Sequence, residues 1–214
     1  MNKLIAKEIK LTASPLSFFF IAFSLMTLIP GYPILLGAFF VCLGIFQTFQ
    51  KAREENDIIY STILPIKKKD IVTSKFIFVC MIESIAYACM VIFALLRLFV
   101  LNKSTPYAEN QMLNSNLVFL GLVLFVFAFF NIFFVGGFFK TAYKIGKPFI
   151  IFVAIVTIIV VASEVLWRIP HLEFLNQGYH YSHSIVLGVG ILTFVVGTCL
   201  SHLKSQKCFE KLDL

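Results

Sequence analysis

Six long apolar segments, separated by polar connections, constrain the fold of this chain more than any other feature. They lie at about 15–29, 33–49, 71–101, 117–139, 148–167 and 184–202. A helix needs about 20 apolar residues to cross a bilayer, and most of these segments approach or exceed that length. Only 14% of the 214 residues are charged, against roughly 25% in soluble domains. We therefore predict an all-α integral membrane protein with six transmembrane helices in one domain, 1–214.

Short turn signals predict how the first spans are joined. Ser14 can cap a helix and Pro15 is tolerated at the first helical position, so this pair predicts the start of the first span. Pro-Gly-Tyr-Pro at 30–33 predicts a tight turn, because proline fixes φ and glycine admits positive φ. The first two spans should therefore form a hairpin with almost nothing outside the membrane.

The basic residues are distributed unequally between the two sides that these spans define. Fifteen of the eighteen Lys and Arg residues fall on one side, in groups of three, six, three and three. The groups are Lys3, Lys7 and Lys10; Lys51, Arg53, Lys67, Lys68, Lys69 and Lys75; Lys140, Lys144 and Lys147; and Lys204, Lys207 and Lys211. Because cytoplasmic loops carry an excess of Lys and Arg, we predict a multi-pass protein of the bacterial cytoplasmic membrane with both termini inside.

The net charge of +7 does not indicate a nucleic-acid partner, because the bases cluster at helix ends rather than on one face of a soluble fold. Anchoring to the lipid bilayer explains them better. The five cysteines lie in or beside apolar runs and suggest neither disulfides nor a metal site. His171, His180 and His183 share one predicted outer loop but lack a carboxylate or thiol at ligand spacing, so we expect no metal.

The amino terminus is basic before its apolar run, as in a secretory signal peptide. Glu8 interrupts it and no small-residue cleavage site follows, so we predict an uncleaved first span. Apolar and charged positions alternate over the first dozen residues. They predict either a short amphipathic helix in the inner interface or a plain basic anchor, and the sequence favours neither.

The predicted cytoplasmic loop 51–70 carries the densest chemistry in the chain. Its first part mixes acidic and basic residues, and apolar residues then recur at near-helical spacing from Ile58 to Leu64. Pro65 should end that helix, and Asp70 can cap the next one. A short amphipathic helix here is suited to docking a soluble partner, while the alternative is a solvated loop whose lysines only fix topology.

The pattern E-x-x-D-x-x-Y-S-T-x-L-P-x-x-x-x-D-I-V over 54–72 resembles permeases of the ABC-2 type. The basic start, the tight first hairpin, the six spans and the short outer loops fit the same family. In that family such a segment forms the coupling helix after the second span. The resemblance implies an ATPase-coupling role for these residues: Glu54, Glu55, Asp57, Tyr60, Ser61, Leu64, Pro65, Lys67, Lys68 and Asp70. The compact form without an outer domain resembles exporters of peptides or small amphiphiles, including the phenol-soluble modulin type.

The resemblance also implies a division of labour between subunits. The chain contains no G-x-x-x-x-G-K-[ST] motif to hold ATP phosphates. We therefore expect a transport subunit that is not itself an enzyme and binds no cofactor, with ATP and Mg²⁺ bound by a separate ABC ATPase subunit. Six spans are few for a path across the bilayer, so we expect a second permease chain, identical or homologous.

A few polar residues lie inside the predicted spans. Glu83 is predicted either to line a cavity or to make a structural hydrogen bond to Tyr or Ser. Asn131, a second candidate for the cavity, is more typical of helix–helix contacts. Arg97 and Arg168 are predicted to extend to the outer headgroups, with Glu164 as a partner. Lipid contact is the default expectation for the 26 Phe residues.

The leading hypothesis is the membrane subunit of an ATP-driven exporter that moves a hydrophobic or amphipathic substrate, such as a peptide, lipid or drug-like molecule. One alternative is a secondary transporter, although internal repeats and broken midplane helices are scarce here. Another is a membrane scaffold or immunity protein that binds a partner through the same loop without transporting anything.

Overall fold

The computed structural model describes residues 2–101, 112–141, 144–166, 168–169, 172, 176 and 181–212. Every regular element in these ranges is helical, as the apolar segments predict. The helices are α1 (Asn2–Lys7, continuing as a π-helix over Glu8–Thr12), α2 (Pro15–Phe19, continuing as a 3-10 helix over Phe20–Leu28), α3 (Leu36–Glu54), α4 (Asp57–Ile63), α5 (Lys68–Leu96, continuing over Arg97–Leu101), α6 (Leu117–Phe129, continuing over Phe130–Val135 and Gly136–Phe138), α7 (Gly146–Leu166) and α8 (Tyr181–Glu210).

Four of these helices are long and apolar enough to cross a membrane: α5, α6, α7 and α8. The bent pair formed by α1 and α2 makes a fifth if it is taken as one span. The last turns of α3 carry polar and charged residues, which lower its mean hydropathy. A multi-pass membrane protein is thus confirmed, and the count of six spans stays a prediction.

The chain turns sharply between α1 and α2. Their axes differ by 91°, and Ser14 accepts a hydrogen bond from the backbone nitrogen of Leu16 at 3.3 Å with Pro15 at the first helical position. The predicted helix start is therefore confirmed. The first residues are helical as well, and their interfacial position stays a prediction.

The predicted hairpin between the first two apolar segments is also present. Gly31 adopts φ +70° in its turn, a conformation that glycine reaches without steric cost. Along the hairpin, α2 and α3 approach closely at Gly44, where an added Cβ would lie 2.5 Å from the Cβ of Phe20. Ser17 donates a hydrogen bond to the Gly44 carbonyl at 2.6 Å, which fixes the two helices side by side.

Helices α6 and α8 cross through two glycines. A Cβ on Gly190 would lie 2.7 Å from the carbonyl oxygen of Gly121, and a Cβ on Gly121 would lie 2.8 Å from that of Val186. Small residues let helix backbones approach in this way in membrane proteins, where packing rather than water exclusion drives association. This crossing sets the distance between α6 and α8.

Phenylalanine forms much of the interior, so the expectation that these rings face lipid is wrong for many of them. Rings of α3, α6 and α7 interdigitate: Phe46 stacks on Phe149 with centroids 4.0 Å apart, and Phe49 meets Phe134 edge-on at 5.2 Å. Phe152 packs against Phe130 at 5.0 Å. The large aromatic rings fill the space between helices that are apolar on most sides.

Two other predictions are corrected by the structure. Arg97 does not extend to the headgroups: it is only 3% exposed and its Nη1 donates to the Thr27 carbonyl at 2.9 Å. This contact satisfies a backbone carbonyl near the end of α2, and no local sequence pattern predicts it. Asp70 is not the cap of α5, which begins at Lys68 after Lys67; it lies in the first turn, where a negative charge still favours the helix dipole.

Contacts between distant segments gather the four basic groups at one end of the helices. The amino-terminal group reaches α4, and the second and fourth groups meet where α5 begins and α8 ends. The pairs that join them are Lys7 with Asp57, Lys69 with Glu210, and Lys68 with the carbonyl of Leu212. Lys140 and Lys204 line one groove at the same end. This grouping is what the predicted sidedness requires, and its cytoplasmic orientation stays a prediction.

Replacing Gly190 with Ala should destabilise the protein, because the new methyl group meets the Gly121 carbonyl and the two helices must separate. Overpacking of this kind typically costs about 1–3 kcal/mol. Thermal unfolding in mild detergent measures the change.

Gly188→Ala is the matched control, because a Cβ there meets nothing within 4 Å on the same helix. It should leave the unfolding temperature unchanged or slightly raised, since alanine favours helices over glycine. Equal melting of the two variants would show that the α6–α8 crossing does not depend on these glycines.

Candidate functional site

In the segment 51–70, the short helix α4 connects the end of α3 to the start of α5. Asn56 adopts φ 52° and ψ 30°, a left-handed conformation that ends α3 and turns the chain into α4. Asn tolerates this conformation better than most residues. Leu64 is extended before Pro65 and ends α4 after two turns, as the proline predicts. The predicted short helix is confirmed.

Helix α4 has one face against the protein and one face open. Ile58 and Ser61 are buried, whereas Tyr60, Ile63 and Leu64 are exposed. Ile63 is 75% exposed although it is a large apolar side chain. Four more of the predicted coupling residues are exposed beside it: Glu54, Glu55, Pro65 and Lys67. We call this set of seven residues the coupling face, after the role that the sequence predicts for all of them except Ile63: Glu54, Glu55, Tyr60, Ile63, Leu64, Pro65 and Lys67.

The other predicted coupling residues lie behind that face. Ser61 accepts a hydrogen bond from the ammonium group of Lys7 at 2.7 Å. Lys68 donates to the carbonyl of Leu212, and both Lys68 and Asp70 are half-buried. Asp57 points inward as well, so these four residues contact other parts of this chain. Any part that they take in coupling to a partner is therefore indirect, and stays a prediction.

Asp57 belongs to a buried ion-pair network with Glu8 and Lys75. The Lys75 Nζ lies 2.9 Å from Glu8 Oε2 and 2.9 Å from Asp57 Oδ2, so one ammonium group bridges two carboxylates. Lys7 pairs with the second oxygen of Asp57 and lies 3.7 Å from Glu8 Oε1. Two acids and two bases thus form one closed cluster, which we call the four-charge cluster.

Burial makes the four-charge cluster interdependent. The Lys75 and Glu8 side chains are 3% and 2% exposed, and Asp57 is 10% exposed. Removing charges from water costs several kcal/mol per ion, and only good geometry with complete pairing offsets that cost. Each of these side chains has two oppositely charged partners in the cluster. The removal of any one therefore leaves the remaining buried charges incompletely paired.

The electrostatic surroundings favour the charged form of Asp57. Desolvation by burial raises the pKa of this carboxyl, but attraction to Lys75 and hydrogen bonds from Lys7 and Lys75 lower it more, and the pKa lies below its ordinary value. Thr12 adds a long hydrogen bond to Asp57 at 3.5 Å. The aspartate therefore stays ionised throughout the physiological pH range.

The four-charge cluster joins three helices that are far apart in sequence. Glu8 and Lys7 lie on α1, Asp57 begins α4, and Lys75 lies on α5. Lys51 adds a further link from α3 by donating to the Leu11 carbonyl at 3.3 Å. A displacement of α4 must therefore move α1 and the start of α5 with it, or break buried ion pairs.

Sequence reasoning missed Lys7, Glu8 and Lys75 as parts of this site. From the sequence, both lysines indicate only topology, and Glu8 indicates only that the amino terminus is not a signal peptide. Two sequence signals point to two of these residues. Glu8 is a lone acid in a basic amino terminus, and Lys75 lies four residues inside an apolar run that begins at Ile71. A charge in such surroundings indicates a buried partner.

The two predicted intramembrane candidates, Glu83 and Asn131, are brought together by the structure. Asn131 Nδ2 donates to Glu83 Oε2 at 2.9 Å and to Thr198 Oγ1 at 3.1 Å. The Ser201 hydroxyl donates to the Asn131 carbonyl at 2.7 Å. Glu83 and Asn131 are completely buried, so this arrangement links α5, α6 and α8. The partner of Glu83 is an amide rather than the predicted hydroxyl, and a role in a cavity stays a prediction.

The predicted outer residues are only partly described. His171 and His180 lie outside the described residues, and His183 is buried in α8. Glu164 accepts a hydrogen bond from the backbone nitrogen of Leu113 at 3.2 Å. Within the described ranges, no group of three or more His, Cys, Asp or Glu side chains is placed to hold a metal ion.

Comparison with known proteins identifies one family. The model of the family described as "ABC-2 family transporter protein" matches residues 3–210, nearly the whole chain. Neither the curated proteins nor the solved structures gave a match. The matched region includes the coupling face and the four-charge cluster.

Lys75→Met should destabilise the protein strongly, because it leaves Glu8 and Asp57 buried without their shared cation. Breaking a buried ion pair by removing one partner costs about 3–5 kcal/mol. Chemical or thermal unfolding in detergent measures the loss.

Lys69→Met is the matched control, because Lys69 pairs with Glu210 at 3.3 Å on the surface. Exposed ion pairs contribute about 0–1 kcal/mol, so this variant should behave like the unchanged protein. A Lys75 variant as stable as the Lys69 variant would contradict the structural role of the four-charge cluster.

The contribution of Asp57 should depend on pH in one direction. Its pKa is lower in the folded protein than in the unfolded chain. The stabilisation is therefore complete above the unfolded value of about 3.9 and disappears as pH falls through the lower folded value. Unfolding temperatures measured from about pH 6 downward should show Asp57→Asn less stable than the unchanged protein, with the gap closing below about pH 4.

Asp70→Asn provides the comparison, because Asp70 lies outside the four-charge cluster. The gap that closes in acid should be specific to the Asp57 variant. A gap for Asp57→Asn that is constant over the whole pH range would contradict the ionised role of this carboxylate.

Proposed function

Because this chain belongs to the ABC-2 transporter family, we propose that it is the membrane-spanning permease subunit of an ATP-driven exporter. ATP is hydrolysed by separate ABC ATPase subunits that dock on the coupling face. The permease carries no phosphate-binding loop of its own, so its task is to convert the movement of the ATPase into a movement of helices.

The observation that carries this proposal is the combination of two opposite faces on α4. One face exposes Tyr60, Ile63 and Leu64 to solvent, and the other is tied to the interior through Asp57 and Ser61. A solvated loop that only fixed topology would need neither an exposed apolar face nor a buried ionic attachment. A helix that receives a partner and transmits its motion needs both.

The four-charge cluster supports a specific route for that transmission. Closure of the ATPase subunits pushes on α4, and Asp57 transfers the displacement to Lys75 and Lys7. Lys75 lies near the start of α5, which packs along α2 and α8. Movement of α4 therefore tilts α5 and shifts α1, which opens or closes the space between this chain and a second permease.

The proposal extends to the second permease chain, the topology and the substrate. The complex contains a second permease chain, identical or homologous, because one set of spans is too small to enclose a path. The chain crosses the bacterial cytoplasmic membrane six times with both termini inside, and the grouping of basic residues at one end supports this orientation. The substrate is hydrophobic or amphipathic, of the peptide or small-amphiphile kind, and moves outward.

Substituting the apolar part of the coupling face should separate the permease from its ATPase. Tyr60→Ala combined with Ile63→Ser removes exposed apolar area without touching the interior, so folding should be unchanged and ATPase association greatly reduced. The measurement is co-purification in mild detergent of a subunit identified by its phosphate-binding loop, together with the ATP hydrolysis that it supplies.

The matched control is Ile150→Ser on α7, where an isoleucine is 69% exposed far from α4 along the chain. Exchanging Glu54 and Glu55 for Lys tests the charged part of the coupling face in the same assay. An ATPase subunit that still co-purifies with every coupling-face variant would contradict the proposed docking and favour a transporter without an ATPase. A co-purifying ATPase whose complex moves nothing would favour a scaffold.

A further inference from the structure

Two adjoining grooves open on either side of the last turns of α6, at the end of the helices where the basic groups gather. One lies between α6 and the start of α7 and has a volume of about 310 Å³. The other lies between α6 and α8 and also measures about 310 Å³. Ile132, Phe133 and Lys140 line both grooves, so the two grooves adjoin around the end of α6, and we treat them together as one site.

The mouth of the site is basic. Lys144 and Lys147 line the first groove, Lys204 lines the second, and Lys140 stands between them. All four side chains are exposed. In the described part of the chain, none of these ammonium groups forms an ion pair with a carboxylate. By contrast, Lys7, Lys51, Lys69 and Lys75 all have acidic partners.

A buried hydroxyl faces the same space. Ser205 lines the second groove, is 1% exposed, and its Oγ has no hydrogen-bond partner within the described residues. An unsatisfied buried hydroxyl costs free energy unless a ligand supplies an acceptor or a donor.

The floor and outer flank of the site are apolar. Gly137 lets Pro148 approach so closely that a Cβ would lie 2.9 Å from the proline ring, which closes the first groove from below. Beside the grooves, Ile150 on α7 and Leu200 and Leu203 on α8 are exposed. Exposed aliphatic side chains on helices that cross a membrane face hydrocarbon. A molecule seated here therefore has its charged end at the lysines and its apolar end along this flank.

We propose that this site binds an anionic phospholipid of the surrounding leaflet, with its phosphate at Lys140, Lys144, Lys147 and Lys204 and its acyl chains along Ile132, Phe133 and Ile151. Basic pockets between membrane helices recognise anionic headgroups, and the unpaired lysines supply the complementary charge. The site shares no residue with the coupling face, so this inference does not depend on the proposed function.

The experiment compares phosphatidylglycerol with phosphatidylcholine of the same acyl chains, added to the purified full-length chain in mild detergent. Native mass spectrometry counts retained lipids, and thermal unfolding reports their stabilisation. Phosphatidylglycerol should be retained with at least tenfold higher affinity. The quadruple variant Lys140→Gln, Lys144→Gln, Lys147→Gln and Lys204→Gln should abolish this preference.

A control with the same change in net charge separates a site from diffuse attraction. Lys3, Lys10, Lys207 and Lys211 are exposed lysines of the same end that line neither groove, and their exchange for Gln should leave the preference intact. Equal loss in both quadruple variants would overturn the proposal. Should the groove variant fail to fold, Ile151→Trp offers a test at constant charge. The larger tryptophan side chain in the first groove should weaken lipid retention.

Two further experiments test whether the site binds a free phosphate compound or a second copy of this chain rather than a lipid. Glycerol phosphate carries the headgroup charge without acyl chains, and stabilisation by it equal to that by phosphatidylglycerol would overturn a lipid site. A second copy of this chain is the other candidate to cover the flank. The surface would belong to that copy instead if two results were found together. Leu200→Gln would abolish dimerisation in detergent, and the lysine variants would leave the lipid preference unchanged.

Discussion

The double ion pair of Lys75 with Glu8 and Asp57 is the interaction on which the arrangement of the charged end depends. Charges this deeply buried are stable only as a complete set, so their presence constrains three helices at once. Helix α1 lies across the end of the bundle, α4 lies against it, and α5 starts beside both. Together with the burial of Ile58 and Ser61, this cluster holds α4 against the rest of the protein.

Away from the charged end, close packing contributes beside a few buried hydrogen bonds such as that of Asn131 with Glu83. Gly121 and Gly190 let α6 and α8 approach to backbone contact, and Phe rings from α3, α6 and α7 fill the neighbouring space. Such contacts are short-ranged and fix distances between helices. The result is a division within the molecule: a closely packed α6–α8 region, and a charged end that is attached through specific ion pairs.

Local features were predictable from the sequence and distant ones were not. Pro65 ends α4 and Gly31 forms the first turn because each acts on its own backbone. Glu8 and Lys75, however, are 67 positions apart, and no periodicity relates them. The position of Arg97 near a helix end predicts contact with the headgroups. The Thr27 carbonyl that accepts its hydrogen bond is distant in sequence, and only the packing of α2 against α5 brings the two together. The sequence pattern predicts the short helix α4, whereas its ionic attachment to α1 and α5 is not predictable from local sequence.

The separation between Glu8 and Lys75 also has a consequence for biosynthesis. The ribosome adds about 5–20 residues per second, so roughly 3–13 s pass between the synthesis of the carboxylate and that of the ammonium group that it needs. During this interval Glu8 lacks the ammonium group with which it pairs in the folded protein. The pair of Glu8 with Lys75 can therefore form only after the start of α5 has been synthesised, later than the pair of Lys7 with Asp57, which needs only α4.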